Sequence, residues 1–347
     1  MITSNTSIAR RALLIFLLLV ASLLAYGYWD RCPCEDRVSY ENVNINDGID
    51  LDRLFRPVEA DELLAAQKTA RFYEVSYDQY RIVAQMDYQG SNRQVAIIEQ
   101  THAGQRHFSA LLFPVDYDSA AHYPLLLWAT GLNQASPVHS PQPSQSFIGR
   151  FFQGFPDHFI AIPAFRGQAL VINSKRYCSD GFFGDAFAGA TEDALRLLHL
   201  VRHEFPVDEE RMGVFGISRG GTVALLMAAH YPDLKCAVAA TGPVDFVNRQ
   251  PYERYGLQFR YQFLGERKSM FDLRQRMILS SPVYFGQQIQ PDLLMLYGQQ
   301  DNVVPYWNAE KMLASMGEKE NVSLITVAAG HSFDERERIK EWLAEHL

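Results

Sequence analysis

The sequence predicts an α/β protein built on a doubly wound, mostly parallel sheet, and three observations lead there. From Tyr123 onward, short apolar runs alternate with segments of helical periodicity. Ahead of them, Tyr80–Tyr88, Gln94–Gln100 and His107–Phe113 read as strands joined by glycine-containing turns, an antiparallel entry to the sheet. Finally, the apolar run Met212–Phe215 passes through Gly216-Ile217-Ser218-Arg219-Gly220 directly into a helical pattern, Val223–Ala229, with the strand–turn–helix order of a sharp elbow.

The elements follow in order. Residues 35–75 are polar and irregular, with one helical stretch around Ala60–Phe72. Pro124–Ala129 is a short buried strand ending in Thr130-Gly131-Leu132, and Phe159–Pro163 is the next, followed by Ala164-Phe165-Arg166-Gly167. A helix runs from Ala188 to Phe205, then come the elbow strand and its helix. Cys236–Thr241, Asp292–Tyr297 and Val322–Ala328 are further strands, with helices after Pro305 and over Ser332–His346. An insertion at about 246–285 interrupts this alternation. In it Tyr255, Phe259 and Phe263 recur every four residues, which predicts an amphipathic helix packed on the core or, on a sharper reading, a partial lid with aromatic faces.

Composition excludes some functions. The 347 residues are 48% hydrophobic and 21% charged, enough for one large domain with additions. A net charge of −8 and the lack of a basic, aromatic-interleaved cluster argue against nucleic acid as a partner. The N-terminus carries Arg10-Arg11 before an uncharged apolar run from Ala12, extendable to Trp29, which predicts a signal peptide or single membrane anchor over residues 1–30. The expectation is therefore an exported chain, periplasmic or extracellular, either cleaved or held to the membrane by residues 12–29. An N-terminal extension (31–78) and a catalytic domain (79–347) would follow. Four cysteines agree with an oxidising compartment. Cys32 and Cys34 are too close for an easy mutual bridge, Cys178 sits in a polar loop, Cys236 in an apolar strand, and a Cys34–Cys178 pairing is conceivable.

The chemistry begins at Ser218. Glycines two before and two after it are needed because a side chain at either place would strike a neighbouring strand or helix, and the turn holds the serine in a strained conformation. A serine becomes a nucleophile near neutral pH only with a base, and the base needs an orienting carboxylate. Beyond an elbow of this kind the chain order is serine, acid, histidine, each past a different strand. Asp301 follows the Asp292–Tyr297 strand across Gly298-Gln299-Gln300, and His331 follows the last strand in Ala329-Gly330-His331. Asp245, past the Cys236–Thr241 strand, is the rival acid. The oxyanion would be held by the backbone N–H of Arg219 and of Leu132, while the Arg219 side chain is read as a structural ion-pair partner.

These residues carry a resemblance. From about Tyr123 to the C-terminus the chain resembles the catalytic domain of the prolyl oligopeptidase family of serine peptidases, in the α/β-hydrolase superfamily. The matching elements are Gly216-Ile217-Ser218-Arg219-Gly220-Gly221, Phe165-Arg166-Gly167, Asp193, Ser281-Pro282, Asp301 with Val304-Pro305, and Gly330-His331. The resemblance implies an α/β-hydrolase fold, the triad Ser218, Asp301 and His331, and a serine-type peptidase acting on small peptides, with no metal or organic cofactor. Two departures leave ester hydrolysis open as an alternative: the residues ahead of Tyr123 leave no room for the family's β-propeller, and Ala129-Thr130 stand where many members place a tyrosine. A non-catalytic binding module on the same scaffold, and an acyltransferase with the same triad, are further alternatives.

Overall fold

The protein is represented by a computed structural model that describes residues 49–70, 75–133, 136–141, 151–264 and 269–347. The leader or anchor expected over residues 1–30 lies outside them, as do Cys32 and Cys34. Among the described residues no helix is long and apolar enough to cross a membrane.

A nine-stranded sheet organises the chain. Its strands are β1 (Gln79–Asp87), β2 (Gln94–His102), β3 (Gln105–Leu112), β4 (Tyr123–Ala129), β6 (Phe159–Pro163), β9 (Val207–Ile217), β10 (Cys236–Ala240), β11 (Asp292–Gly298) and β12 (Val322–Val327), in the spatial order β1-β2-β3-β6-β4-β9-β10-β11-β12. The pairs from β1 to β6 are antiparallel, and those from β6 to β12 are parallel. β6 and β10 are buried along their whole length, and β4 and β11 all but their first residue, because both faces are covered. Along β4, Leu125, Leu127 and Ala129 enter one core while Leu126 and Trp128 enter the other. The same alternation splits β11, with Leu293, Met295 and Tyr297 on one side and Leu294 and Leu296 on the other. The first core is closed by helix α3 (Ala188–Glu204), α4 (Arg219–His230) and α7 (Trp307–Met316), the second by Phe151, Phe152 and α8 (Arg336–His346).

Short elements depart from the expectation. A second sheet of β5 (Val138–His139), β7 (Ala169–Ile172) and β8 (Lys175–Cys178) was not predicted, because strands of two and four residues are too short to show a period. Cys178 ends β8 rather than sitting in a polar loop. It is buried and disulfide-bonded, with its partner outside the described residues, whereas Cys236 is buried and free. Helix α8 begins at Arg336, four residues later than the Ser332 start expected from the sequence.

The insertion is helical in pieces. Helix α5 (Arg249–Tyr255) stops at Gly256, whose φ of +49° a side chain would disfavour. A short turn, Leu257–Phe259, then runs into a π-helical turn, Arg260–Leu264, and helix α6 (Met270–Leu279) follows from the capping box of Ser269 and Asp272. Phe259 and Phe263 pack into a third core with Phe187, Phe246 and Leu54. The last of these comes from helix α1 (Leu51–Leu54), which with α2 (Ala60–Thr69) is fastened to α6 by Arg274. That fully buried guanidinium donates to both Glu62 carboxylate oxygens at 2.7 and 2.8 Å and to the Leu54 and Arg56 carbonyls.

Candidate active site

Ser218 stands between β9 and α4 with φ 57° and ψ −119°, a conformation that a residue with a side chain adopts only when its surroundings over-determine it. The surroundings are on either side. The Ser218 N–H donates to the Ala240 carbonyl of β10 at 2.8 Å. A Cβ at Gly216 would lie 1.9 Å from the Gly220 carbonyl oxygen, and one at Gly220 would lie 1.9 Å from the Ala129 carbonyl oxygen. Both glycines are thus required by close backbone approach, the second because α4 begins against the end of β4.

Asp301 and His331 leave the ends of β11 and β12, two and three strands along the parallel sheet from β9. Their loops are stitched together by Gln299 N–H to Val327 O and Gln300 N–H to Ala329 O, at 2.8 and 2.9 Å. The Asp301 side chain is fully buried. One carboxylate oxygen accepts from the Val303 and Val304 N–H groups at 2.7 and 2.8 Å, and the other lies 2.7 Å from His331 Nδ1. An acceptor there fixes the proton on Nδ1 and leaves Nε2 as the basic nitrogen. His331 and Ser218 line one cavity of about 580 Å3. The rival acid, Asp245, is elsewhere engaged: it pairs with Lys311 and accepts from the Val247 and Asn248 N–H groups at 3.0 and 3.3 Å.

Arg219 differs from its sequence reading. Among the described residues its guanidinium makes no carboxylate contact. It is buried beneath the loop after β4, donating to Thr130 O (3.2 Å), Thr130 Oγ1 (2.9 Å), Gly131 O (3.0 Å) and Gln168 Oε1 (3.2 Å), with Phe165 stacked 4.6 Å from its centre. Burial pulls the guanidinium down to about 9, partly offset by the Asp193 charge. The nearby carboxylates are taken by Arg166 instead. That side chain binds Asp193 through Nε and Nη2, and also Asp185 and Glu192. So Arg219 instead ties the elbow to the Thr130-Gly131-Leu132 loop. A Cβ on Gly131 would lie 3.9 Å from the Ser218 Cβ, and Leu132 lines the cavity beside Ser218. Both N–H groups expected to face an oxyanion therefore sit on segments that border Ser218, Arg219 N–H at the open first turn of α4.

The insertion contributes Phe246, Tyr255, Gln258 and Gln262 to the lining of the cavity. The core reading of the four-residue aromatic repeat holds for two of its three residues. Phe259 and Phe263 are core, while Tyr255 faces the cavity with its hydroxyl donated to Val303 O at 2.6 Å. The two glutamines were not singled out from the sequence, although polar residues inside an aromatic repeat are the signal that could have found them. Among the described residues no group of three or more His, Cys, Asp or Glu side chains could hold a metal ion.

Residues 188–347 match the prolyl oligopeptidase family. That stretch includes the elbow, Asp301 and His331. Among curated proteins, an S-formylglutathione hydrolase of Paracoccus denitrificans (strain Pd 1222) is 25% identical over 177 residues, 48% of this chain and 60% of that protein. An S-formylglutathione hydrolase of Bos taurus is 28% identical over 195 residues, 51% of this chain and 64% of that protein. The chain thus spans less than two thirds of the length of either relative. Among solved structures, acetyl xylan esterase 1 from Thermoanaerobacterium sp. JW/SL YS485 superposes with a TM-score of 0.60 at 15% identity, covering 86% of this chain and 98% of that one. The fold is the α/β-hydrolase fold.

Proposed function

We propose that the protein is a serine hydrolase that cleaves esters or thioesters of an uncharged acyl group through an acyl-enzyme. The reading is carried by one observation: the 2.7 Å bond between Asp301 and His331 Nδ1, on a histidine that shares its cavity with a serine in a strained elbow. In the mechanism Ser218 Oγ attacks the substrate carbonyl while His331 Nε2 takes its proton. The Arg219 and Leu132 N–H groups receive the developing oxyanion. His331 then protonates the leaving group, and a water activated by the same nitrogen releases the acyl group. Asp301, dry and hydrogen-bonded by two backbone N–H groups, orients the imidazole and stabilises its cation.

Two features favour an ester over a peptide. Among the described residues the cavity walls carry no carboxylate that would hold a peptide amino terminus and no cation free to hold a carboxylate, since the Arg219 guanidinium is spent on the loop beneath. The curated relatives are named for hydrolysis of S-formylglutathione, a small-acyl substrate. The peptidase reading is favoured by the family match over residues 188–347. Turnover of an ester and an anilide of the same short acyl group, with Ser218→Ala as blank, separates them. Ester cleavage with negligible anilide cleavage is expected; comparable anilide cleavage would make the protein a peptidase. No turnover of either would favour a non-catalytic module, and transfer to added alcohols an acyltransferase. The disulfide at Cys178 supports export to an oxidising compartment.

A further inference from the structure

The substrate-facing wall of the insertion contains a polar group that the chemistry above does not use. Gln262 is only 5% exposed, lies in the π-helical turn Arg260–Leu264, and lines the cavity with Ser218 and His331. Among the described residues its side-chain amide makes no hydrogen bond. The amide itself is not shut away from solvent, so it opens onto the cavity and is available to a ligand. Its neighbours in the turn behave otherwise: Phe263 and Leu264 enter the third core, and of the five residues only Gln262 lines the cavity. A π turn, which slips the helical register by one residue, is a recurrent device for re-aiming a side chain at a site.

Gln258, half-buried in the preceding turn, lines the same wall and is also without a hydrogen bond among the described residues. The other polar side chains nearby are committed, Tyr255 to Val303 O and Arg219 to the Thr130 and Gly131 carbonyls. Among the described residues, the insertion therefore offers the cavity amide donors and acceptors and no charge.

Resting on the hydrolase reading, we infer that Gln262, aided by Gln258, is a specificity-determining residue that binds a neutral hydrogen-bonding group, an amide or hydroxyl, in the acyl portion of the substrate. An amide can give and receive one hydrogen bond each with such a group. A carboxylate or ammonium in its place would be buried without a counter-charge, and a purely apolar chain would leave the glutamine unpaired.

The test measures kcat/KM for 4-nitrophenyl esters of three acyl groups of similar length: pentanoyl, N-acetylglycyl and succinyl. The expected wild-type result is a preference for N-acetylglycyl over pentanoyl of about tenfold or more, with succinyl the poorest. In Gln262→Met, an apolar side chain of the same length, the ratio falls to about one; Gln262→Asn, whose amide is withdrawn by one methylene, lowers it as well and serves if the first variant fails to fold. A wild-type ratio near one, or a ratio that survives both substitutions in folded protein, overturns the assignment. Hydrolysis of 4-nitrophenyl acetate that is lost in Ser218→Ala keeps these outcomes apart from failure of the hydrolase reading; its absence would overturn that reading and the assignment with it.

Discussion

Replacing Arg219 by methionine isolates the part of the site that the structure revises most. The substitution keeps a long apolar stem over Phe165 but removes every donor to the loop after β4. Two backbone carbonyls, Thr130 O and Gly131 O, lose their guanidinium partner. A buried acceptor left unpaired costs about 1–3 kcal/mol, and the stacking on Phe165 loses about 1 kcal/mol more. Against this stands relief of a buried cation that no carboxylate touches, which returns several kcal/mol in comparable cases. The net expectation is a modest destabilisation of about 1–3 kcal/mol, or a Tm lowered by roughly 2–6 °C in a domain of this size. The effect on turnover should be larger than that figure suggests. Gly131 and Leu132 border Ser218, and a loop displaced by about an ångström costs on the order of 10²-fold in kcat. The assay pairs a thermal melt with kcat on an activated ester, where KM should move little. A folded variant whose kcat stays within a few-fold of wild type would refute the argument and leave Arg219 as packing alone.

Other outcomes follow from the same geometry. Asp301→Asn should cost about 10³–10⁴-fold in kcat, because the amide can present its N–H to His331 and hold the wrong tautomer; Asp245→Asn, remote from His331 and paired with Lys311, should retain turnover while lowering the melting temperature. Gly220→Ala should abolish soluble, active protein, since its Cβ would fall 1.9 Å from the Ala129 carbonyl oxygen and neither backbone can yield; normal expression with normal turnover would contradict this. His230, buried against Phe285, is pulled from 6.5 down to about 3 by burial. Between those values the unfolded chain binds a proton that the folded protein refuses, so stability falls as pH falls through that window, by up to about 1.4 kcal/mol per unit. Urea midpoints measured across it should show a shallower slope in His230→Leu.

What was legible in the sequence was whatever repeats over enough residues or is fixed by backbone contact. β6 matches its predicted ends, and β4 and β11 extend theirs by one residue, because strands buried on both faces leave an unbroken apolar run. The elbow was legible because Gly216 and Gly220 are demanded by distances under 2 Å, a constraint that survives in any sequence adopting the turn. The small sheet was not, being too short for a period. Neither was the partner of Arg219: its acceptors are carbonyls of Thr130 and Gly131, and a carbonyl carries no mark in the sequence of which donor will reach it. Gln262 was hidden for a third reason. A helical wheel drawn through Tyr255, Phe259 and Phe263 assumes one continuous α-helix, whereas Gly256 and the π turn break it and change which residues face the cavity.

The central claim is that Ser218 is an activated nucleophile served by His331 and Asp301. The measurement that tests it most directly is intact-protein mass after exposure to a fluorophosphonate, followed by peptide mapping. The account predicts one adduct, on Ser218, formed at least about 10³-fold more slowly in His331→Ala and absent in Ser218→Ala. A folded wild-type protein that takes no label, or labelling whose rate is unchanged when His331 is removed, would contradict it.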